Sequence, residues 1–147
     1  MTRRFNRAAD LAIAAKLAAL RTADAEAGAR HANNAERSLD HRHQLAASRT
    51  TDALHANAAV TRAGGKLDPE LWAFAGANLK RAAAHEAEMA EALAKASVVE
   101  RQARTRWTAA VDVERVLKVK LKKATTIATE KHEDRLATDW LLSRVTR

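Results

Sequence analysis

The fold is decided by residues 63–70, which read Ala63-Gly64-Gly65-Lys66-Leu67-Asp68-Pro69-Glu70. Two successive glycines readily end a helix, and Asp68 can cap the next helix by accepting a backbone N–H hydrogen bond. Pro69 suits a first helical position because its φ is fixed and the N–H that it lacks is not needed there. Pro69 is also the single proline of the sequence. This segment therefore predicts a turn between two helices.

The composition on both sides of this turn is typical of long helices. Ala, Glu, Lys, Leu and Arg make up 88 of the 147 residues, and 37 of these are Ala. Leu, Ile, Val and Phe total only 27 residues, which is too few for the core of a broad α/β domain. Paired long helices need only a narrow apolar seam. We therefore predict an all-α fold, a long antiparallel two-helix coiled-coil hairpin.

The hairpin is predicted to form one domain over residues 1–147, with helix 1 at about 3–62, the turn at 63–68 and helix 2 at about 69–145. Helix 1 has few large aliphatic residues, so alanine must line much of its face and the two backbones should approach closely. The seam of helix 2 follows alternating steps of three and four residues. Its predicted members are Met89, Leu93, Ala96, Val99, Ala103, Trp107, Ala110, Leu117, Leu121 and Ala124.

Helix 2 is predicted to be the longer helix. At 1.5 Å per residue, helices of about 60 and 77 residues span roughly 90 and 115 Å. With the turn centred near Gly65 and Lys66, residue i faces about residue 131 minus i, so residues 131–147 have no intramolecular partner. This overhang carries an apolar stripe formed by Leu136, Trp140, Leu141, Leu142 and Val145. Such a stripe predicts a binding partner, although an overhang that frays, bends back or pairs with a second copy is the alternative.

Positive charge is concentrated before the overhang. The chain has a net charge of +8, and residues 101–123 contribute +6 of it. Basic side chains there suit an acidic protein surface or phosphates, or simply form a solvated face. Nucleic-acid binding would normally add base-stacking aromatics, but the three tryptophans lie far apart in the sequence. We therefore do not expect nucleic acid to be the main partner.

No catalytic or cofactor-binding pattern is present in the sequence. The chain has no cysteine, and its only Gly-Gly pair lies in the predicted turn rather than in a phosphate-binding loop. His41 and His43 are two residues apart and so lie on different faces of a helix. We expect a non-enzymatic protein without metal, cofactor or small-molecule substrate. No run of about 18 apolar residues or signal segment occurs, which predicts a cytoplasmic location.

Two short motifs add a resemblance to a known family. Helix 2 begins with Leu71-Trp72-Ala73-Phe74, and the chain closes with Glu130-x-x-Glu133-Asp134-x-x-x-x-Asp139-Trp140. Together with the unequal two-helix hairpin, these motifs resemble the FliJ/YscO stalk proteins of flagellar and type III secretion export. The resemblance implies a central-stalk adaptor that inserts its joined helix ends into a hexameric export ATPase and couples it to the export gate. It also implies a position at the inner-membrane export apparatus, with export chaperones as further partners.

The resemblance further suggests which residues contact these partners. It implies ATPase contacts for the tip and the basic stretch, at Arg115, Lys118, Lys122, Leu136, Asp139, Trp140 and Leu141. It implies contacts to the cytoplasmic domain of the export-gate membrane protein for Trp72, Phe74 and Leu79. The alternative is that these residues, together with Leu71, pack on Val60 and the end of helix 1 and close the turn. Two other functions stay open: a generic coiled-coil secretion chaperone or dimerisation module, and a basic helical nucleic-acid-binding protein.

Overall fold

A computed structural model describes residues 6–62 and 68–145 of the chain, with side chains over residues 7–62 and 68–141. It contains two helices, α1 (Asn6–Arg62) and α2 (Pro69–Val145), which pack against each other. No strand occurs among the described residues. The predicted all-α fold is therefore confirmed. Residues 3–5 of the predicted helix 1 lie outside the described residues, as do residues 63–67 of the predicted turn.

The start of α2 has the predicted cap. The Asp68 carboxylate accepts a hydrogen bond from the backbone N–H of Glu70 at 3.0 Å. The backbone carbonyl of Asp68 accepts the first intrahelical bond, from the N–H of Trp72 at 3.0 Å. Glu70 adds a negative charge in the first turn, where the helix dipole is positive. Asp68 and Pro69 thus begin the helix in the way the sequence predicts.

The chain divides into two compact units. One unit combines residues 1–27 with residues 105–147, and the other consists of residues 28–104. Each unit therefore contains a stretch of α1 and a stretch of α2. In each unit, helix–helix packing supplies the core.

From residue 11 onward, most side chains that are at least partly buried recur at alternating steps of three and four residues, and we call those that follow these steps the core positions. In the unit of residues 1–27 and 105–147 they are residues 11, 15, 18, 22 and 25 of α1 and residues 107, 110, 114, 117, 121 and 124 of α2. In the unit of residues 28–104 they are residues 29, 32, 36, 39, 43, 46, 50, 53, 57 and 60 of α1 and residues 75, 79, 82, 86, 89, 93, 96, 100 and 103 of α2. This spacing keeps one face of each helix against its neighbour.

Alanine is the residue type that the two helices bury most completely. The buried residues among those described are all alanines, and Ala46 is the least exposed of them at 2%. A methyl side chain lets two helix backbones approach closely, because little volume lies between them. The expectation that alanine lines the face of helix 1 is therefore confirmed. The set comprises Ala15, Ala18, Ala32, Ala46, Ala53 and Ala75.

Glutamate occupies several core positions of α2. At one of them the sequence analysis predicted an apolar residue instead, and the others were not among the predicted seam residues. Val99 was a predicted seam residue, but it is exposed and Glu100 takes the core position instead. The reason is geometric: the two steps from Ala96 to Ala103 are four and then three residues, which selects residue 100. The side chains of Glu100 and Glu114 are only 16% exposed. Their aliphatic stems cover the neighbouring helix, while their carboxylates reach a cation one turn further along.

The pairing register differs from the predicted one. In the unit of residues 1–27 and 105–147, the Thr22 hydroxyl lies within hydrogen-bonding reach of the Glu114 carboxylate. The sequence analysis paired Thr22 with about residue 109, five residues earlier. The predicted register followed from a turn centred on Gly65 and Lys66. In the structure residues 68–74 are all exposed, so that the first core position of α2 is Ala75 and the pairing of α2 begins later than predicted.

Candidate functional site

The most distinctive surface of the chain is the end of α2. The last core position is Ala124, and every side chain from residue 125 to residue 141 is exposed. We call residues 125–141 the α2 tip. At 1.5 Å per residue the tip extends over about 25 Å. Over residues 125–141, therefore, no side chain of α2 is buried by the described part of the chain.

Large apolar side chains are among those exposed on the α2 tip. Leu136 is 56% exposed, Trp140 57% and Leu141 58%. Leu136 and Trp140 are four residues apart and so share one face of the helix, whereas Leu141 lies about 100° further round. The structure thus brings together two of the predicted tip residues. The side chains of Leu142 and Val145, which complete the predicted stripe, lie outside the described residues.

The threonines of the α2 tip are satisfied within the helix. Thr126 donates to the Lys122 carbonyl at 3.0 Å and Thr138 donates to the Asp134 carbonyl at 2.8 Å. Thr125 and Thr129 also donate to carbonyls of the preceding turn. Such bonds slightly weaken a helix, and most of the stability of helices in proteins comes from packing against other elements. Contact with a partner would therefore stabilise the tip.

The basic stretch before the tip is partly engaged within the chain. Lys118 forms an ion pair with Glu114 at 2.5 Å, although the Lys118 side chain is largely exposed. Arg115 and Lys122 are exposed as well. The predicted ATPase-contact cations therefore all reach solvent, but Lys118 also anchors a core glutamate.

Glu114 is stabilised in its charged form. The Lys118 ammonium, which is hydrogen-bonded to the carboxylate, and then the nearby Thr22 hydroxyl hold the pKa of Glu114 below its usual value. The Thr22 hydroxyl also donates to the Ala18 carbonyl at 3.0 Å. Partial burial opposes this effect, because it disfavours the carboxylate, and the nearby charge of Lys118 adds to the lowering. The carboxylate thus links a core position of α2 both to α1 and to the exposed basic stretch.

A second apolar group lies at the start of α2, in the unit of residues 28–104. Trp72 is 52% exposed and Phe74 65%, so neither side chain is packed away to close the turn. Leu79, by contrast, is a half-buried core position. Trp72 and Leu79 are seven residues apart and share a helix face, whereas Phe74 points to a different one. The three predicted gate-contact residues therefore do not form one surface.

The histidines and acidic residues give no sign of a metal site in the part of the chain that is described. There, no group of three or more His, Cys, Asp or Glu side chains converges. His43 is half-buried at a core position, and the other five histidines are exposed. His85 lies 3.9 Å from Glu88, one turn along the same helix.

Neither described helix has a stretch that is long and apolar enough to cross a membrane. Comparisons with protein-family models, with curated proteins and with solved structures found no match for this chain. The resemblance to the export-stalk family therefore stays a prediction from the sequence. The features of the structure that bear on function are the two exposed apolar groups and the charge around them.

Proposed function

We propose that this protein is a non-enzymatic central-stalk adaptor of a flagellar or type III protein export apparatus. In this proposal the hairpin is a coiled coil with a longer C-terminal helix. Its joined helix ends insert into the hexameric export ATPase, and the chain couples the ATPase to the export gate. It works in the cytoplasm at the inner-membrane export apparatus, with export chaperones as further partners.

The observation that carries the proposal is the run of exposed side chains over the α2 tip. A helix end with Leu136 and Trp140 exposed on one face is suited to an apolar sleeve supplied by another protein. More than half of the surface of each of these residues is exposed and therefore available for burial on insertion. Burial of large aliphatic and aromatic side chains commonly dominates the binding energy of such interfaces.

Charge around the tip supports a protein partner with an acidic surface. Arg115 and Lys122 are exposed on the helix just before the tip, within a stretch of net charge +6 over residues 101–123. An acidic rim on the partner would attract this stretch and orient the tip for insertion. At physiological salt such steering acts over about 8 Å, so it operates close to the binding site.

The start of α2 supports a second contact, with the export gate. Trp72 and Phe74 expose large aromatic surfaces on different faces of α2. Aromatic residues are enriched where protein interfaces bind most tightly. We assign Trp72 to the gate protein together with Leu79, which shares its helix face, and Phe74 to a separate contact with the same protein.

The experiment that tests the proposal is the ATP hydrolysis rate and the oligomeric state of the purified export ATPase, with and without this chain. Wild-type chain is expected to raise the rate and to promote hexamer formation, because a ligand that binds only the assembled ring stabilises it by mass action. The double variant Leu136→Ala and Trp140→Ala should lose both effects. Its melting temperature should change little, since both side chains are more than half exposed.

The matched control is the double variant Val98→Ala and Val99→Ala, which also trims two exposed apolar side chains but lies outside the tip. It should stimulate the ATPase like wild type. If wild type neither binds nor stimulates the ATPase, the stalk proposal is wrong. If both double variants lose activity equally, the tip is not the contact surface.

A further inference from the structure

A second exposed stripe runs along α2, on a different face from Leu136 and Trp140. Its nine members follow alternating steps of three and four residues, and all of them are exposed. We call this set the outer stripe. It comprises Val113, Val116, Lys120, Lys123, Ile127, Glu130, Asp134, Ala137 and Leu141. Such spacing places all nine on one side of the helix, as in the contact face of a coiled coil.

The outer stripe of one chain is complementary in charge and polarity to the outer stripe of a second chain that runs in the opposite direction. Ile127 is at the centre, with two lysines on its N-terminal side and two acidic residues on its C-terminal side. Apolar residues occupy both ends. In an antiparallel pair centred on Ile127, basic residues face acidic ones and apolar residues face apolar ones. The facing pairs are Lys123 with Glu130, Lys120 with Asp134, Val116 with Ala137, and Val113 with Leu141.

We propose that the outer stripe is a docking surface for the outer stripe of a second copy of this chain, in antiparallel orientation about a two-fold axis at Ile127. A two-fold interface requires that residue i contacts residue j while j contacts i, and the outer stripe meets this condition along its whole length. A parallel pair would instead place Lys120 and Lys123 against their own copies. The charge order therefore selects both the partner and its orientation.

The size of the surface sets the strength of the association. The outer stripe extends over about 42 Å at 1.5 Å per residue, but only five of its nine residues are apolar. A shallow depression borders its centre, lined by Val119, Lys123, Ile127 and Glu130 together with Lys122 and Thr126. It gives room for the Ile127 side chain of the second copy. We expect a reversible dimer with a dissociation constant in the micromolar range.

This inference goes beyond the stalk function and does not depend on it. Leu136 lies at least 100° around the helix from every member of the outer stripe, whereas Trp140 lies about 60° from Ala137 and Leu141 belongs to both surfaces. A dimer formed through the outer stripe would therefore leave Leu136 exposed and cover part of the tip near Leu141. The test below uses only the purified chain, so its outcome is separate from that of the ATPase experiment.

The experiment is sedimentation equilibrium of the full chain at several concentrations from the low to the high micromolar range, with far-UV circular dichroism to verify folding. Wild type should pass from monomer to dimer. The variant Lys120→Glu with Lys123→Glu has an all-acidic stripe centre and should be monomeric, and so should Glu130→Lys with Asp134→Lys, whose centre is all basic. An equimolar mixture of these two variants should form a heterodimer. The fourfold variant, with all four charges exchanged, should dimerise again.

A matched control separates a specific contact from a general effect of charge. The variant Lys80→Glu with Arg81→Glu changes the net charge by the same amount as Lys120→Glu with Lys123→Glu, but its two residues are exposed on α2 well before the outer stripe begins. It should dimerise like wild type. Three results would each overturn the proposal: a monomeric wild type throughout, a dimer that survives either charge reversal, or a mixture of the two reversed variants that fails to associate.

Discussion

Replacing Ala46 by leucine measures how closely the two helices approach in the unit of residues 28–104. Ala46 is 2% exposed at a core position, so its methyl group is already enclosed on all sides. Leucine adds three carbon atoms to a site with no access to solvent. Overfilling a packed core costs about 1–3 kcal/mol, because side chains leave their preferred rotamers and the backbones move apart. We expect a loss of about 2 kcal/mol in the free energy of unfolding.

For a chain of this length such a loss lowers the melting temperature by roughly 4–8 °C. Urea denaturation followed by far-UV circular dichroism gives the free energy, and a thermal scan gives the melting temperature. The matched control is Ala35→Leu, which makes the same change at an exposed position of α1 in the same unit. It should alter stability by no more than a few tenths of a kcal/mol. If Ala46→Leu is as stable as wild type or more stable, the helices do not approach closely at alanine and the packing argument is wrong.

Three further changes test individual core positions. Glu100→Leu should stabilise the protein by about 1–2 kcal/mol in urea denaturation, because a glutamate side chain that is only 16% exposed and has one ion pair at 3.9 Å is replaced by an apolar one. A loss of stability would show that the carboxylate is required there. Trp107→Ala should lower the free energy of unfolding by about 2–3 kcal/mol, which is somewhat less than the same substitution costs at a fully buried tryptophan, because Trp107 is half-buried. An unchanged urea midpoint would place Trp107 outside the core. The pKa of Glu114 is lowered in the folded protein, so its contribution to stability is present above the usual pKa of 4.5 and is lost as the pH falls through the lower folded value. Melting temperatures measured between about pH 7 and 2.5 should therefore fall more steeply on the acid side for wild type than for Glu114→Gln, and parallel curves would contradict the link to Lys118 and Thr22.

The sequence predicts the all-α fold because its strongest signals are local. The glycine pair, Asp68 and Pro69 mark the helix boundary through backbone chemistry alone, and the Asp68 cap forms as predicted. The alanine content likewise predicts a narrow core, since no other residue type is abundant enough to fill one. These properties do not depend on which residues of the two helices face each other.

The core positions of α2 were harder to predict because they depend on geometry as well as on polarity. An apolar pattern selects Val99, but the alternating steps place Glu100 in the core. The spacing of 14 residues between Glu86, Glu100 and Glu114 was available in the sequence and would have indicated this. The pairing register could not be predicted from the turn, because it depends on where the first core position of α2 falls.

The candidate surfaces, too, could be predicted from the sequence only in part. Length arithmetic predicts that residues 131–147 extend beyond the end of helix 1, and in the structure the side chains of residues 125–141 are exposed. The outer stripe escaped the sequence analysis because four charged residues interrupt its apolar members. A search for apolar periodicity discards such a pattern, whereas a search for charge order about a centre such as Ile127 retains it. Exposure of all nine residues in the structure is what draws attention to them.

The proposed stalk function requires an α2 tip that is exposed in the free chain and that an export ATPase would bury. Hydrogen–deuterium exchange of residues 125–141 tests this most directly, measured at a concentration where the chain is monomeric. Backbone amides of the tip should exchange much faster than those flanking Ala46 in the free chain, because few contacts protect them from local opening. Addition of the hexameric ATPase should slow their exchange strongly while leaving the Ala46 region unchanged. A tip that is already protected in the free monomer, or one whose exchange the ATPase does not alter, would contradict the proposed function.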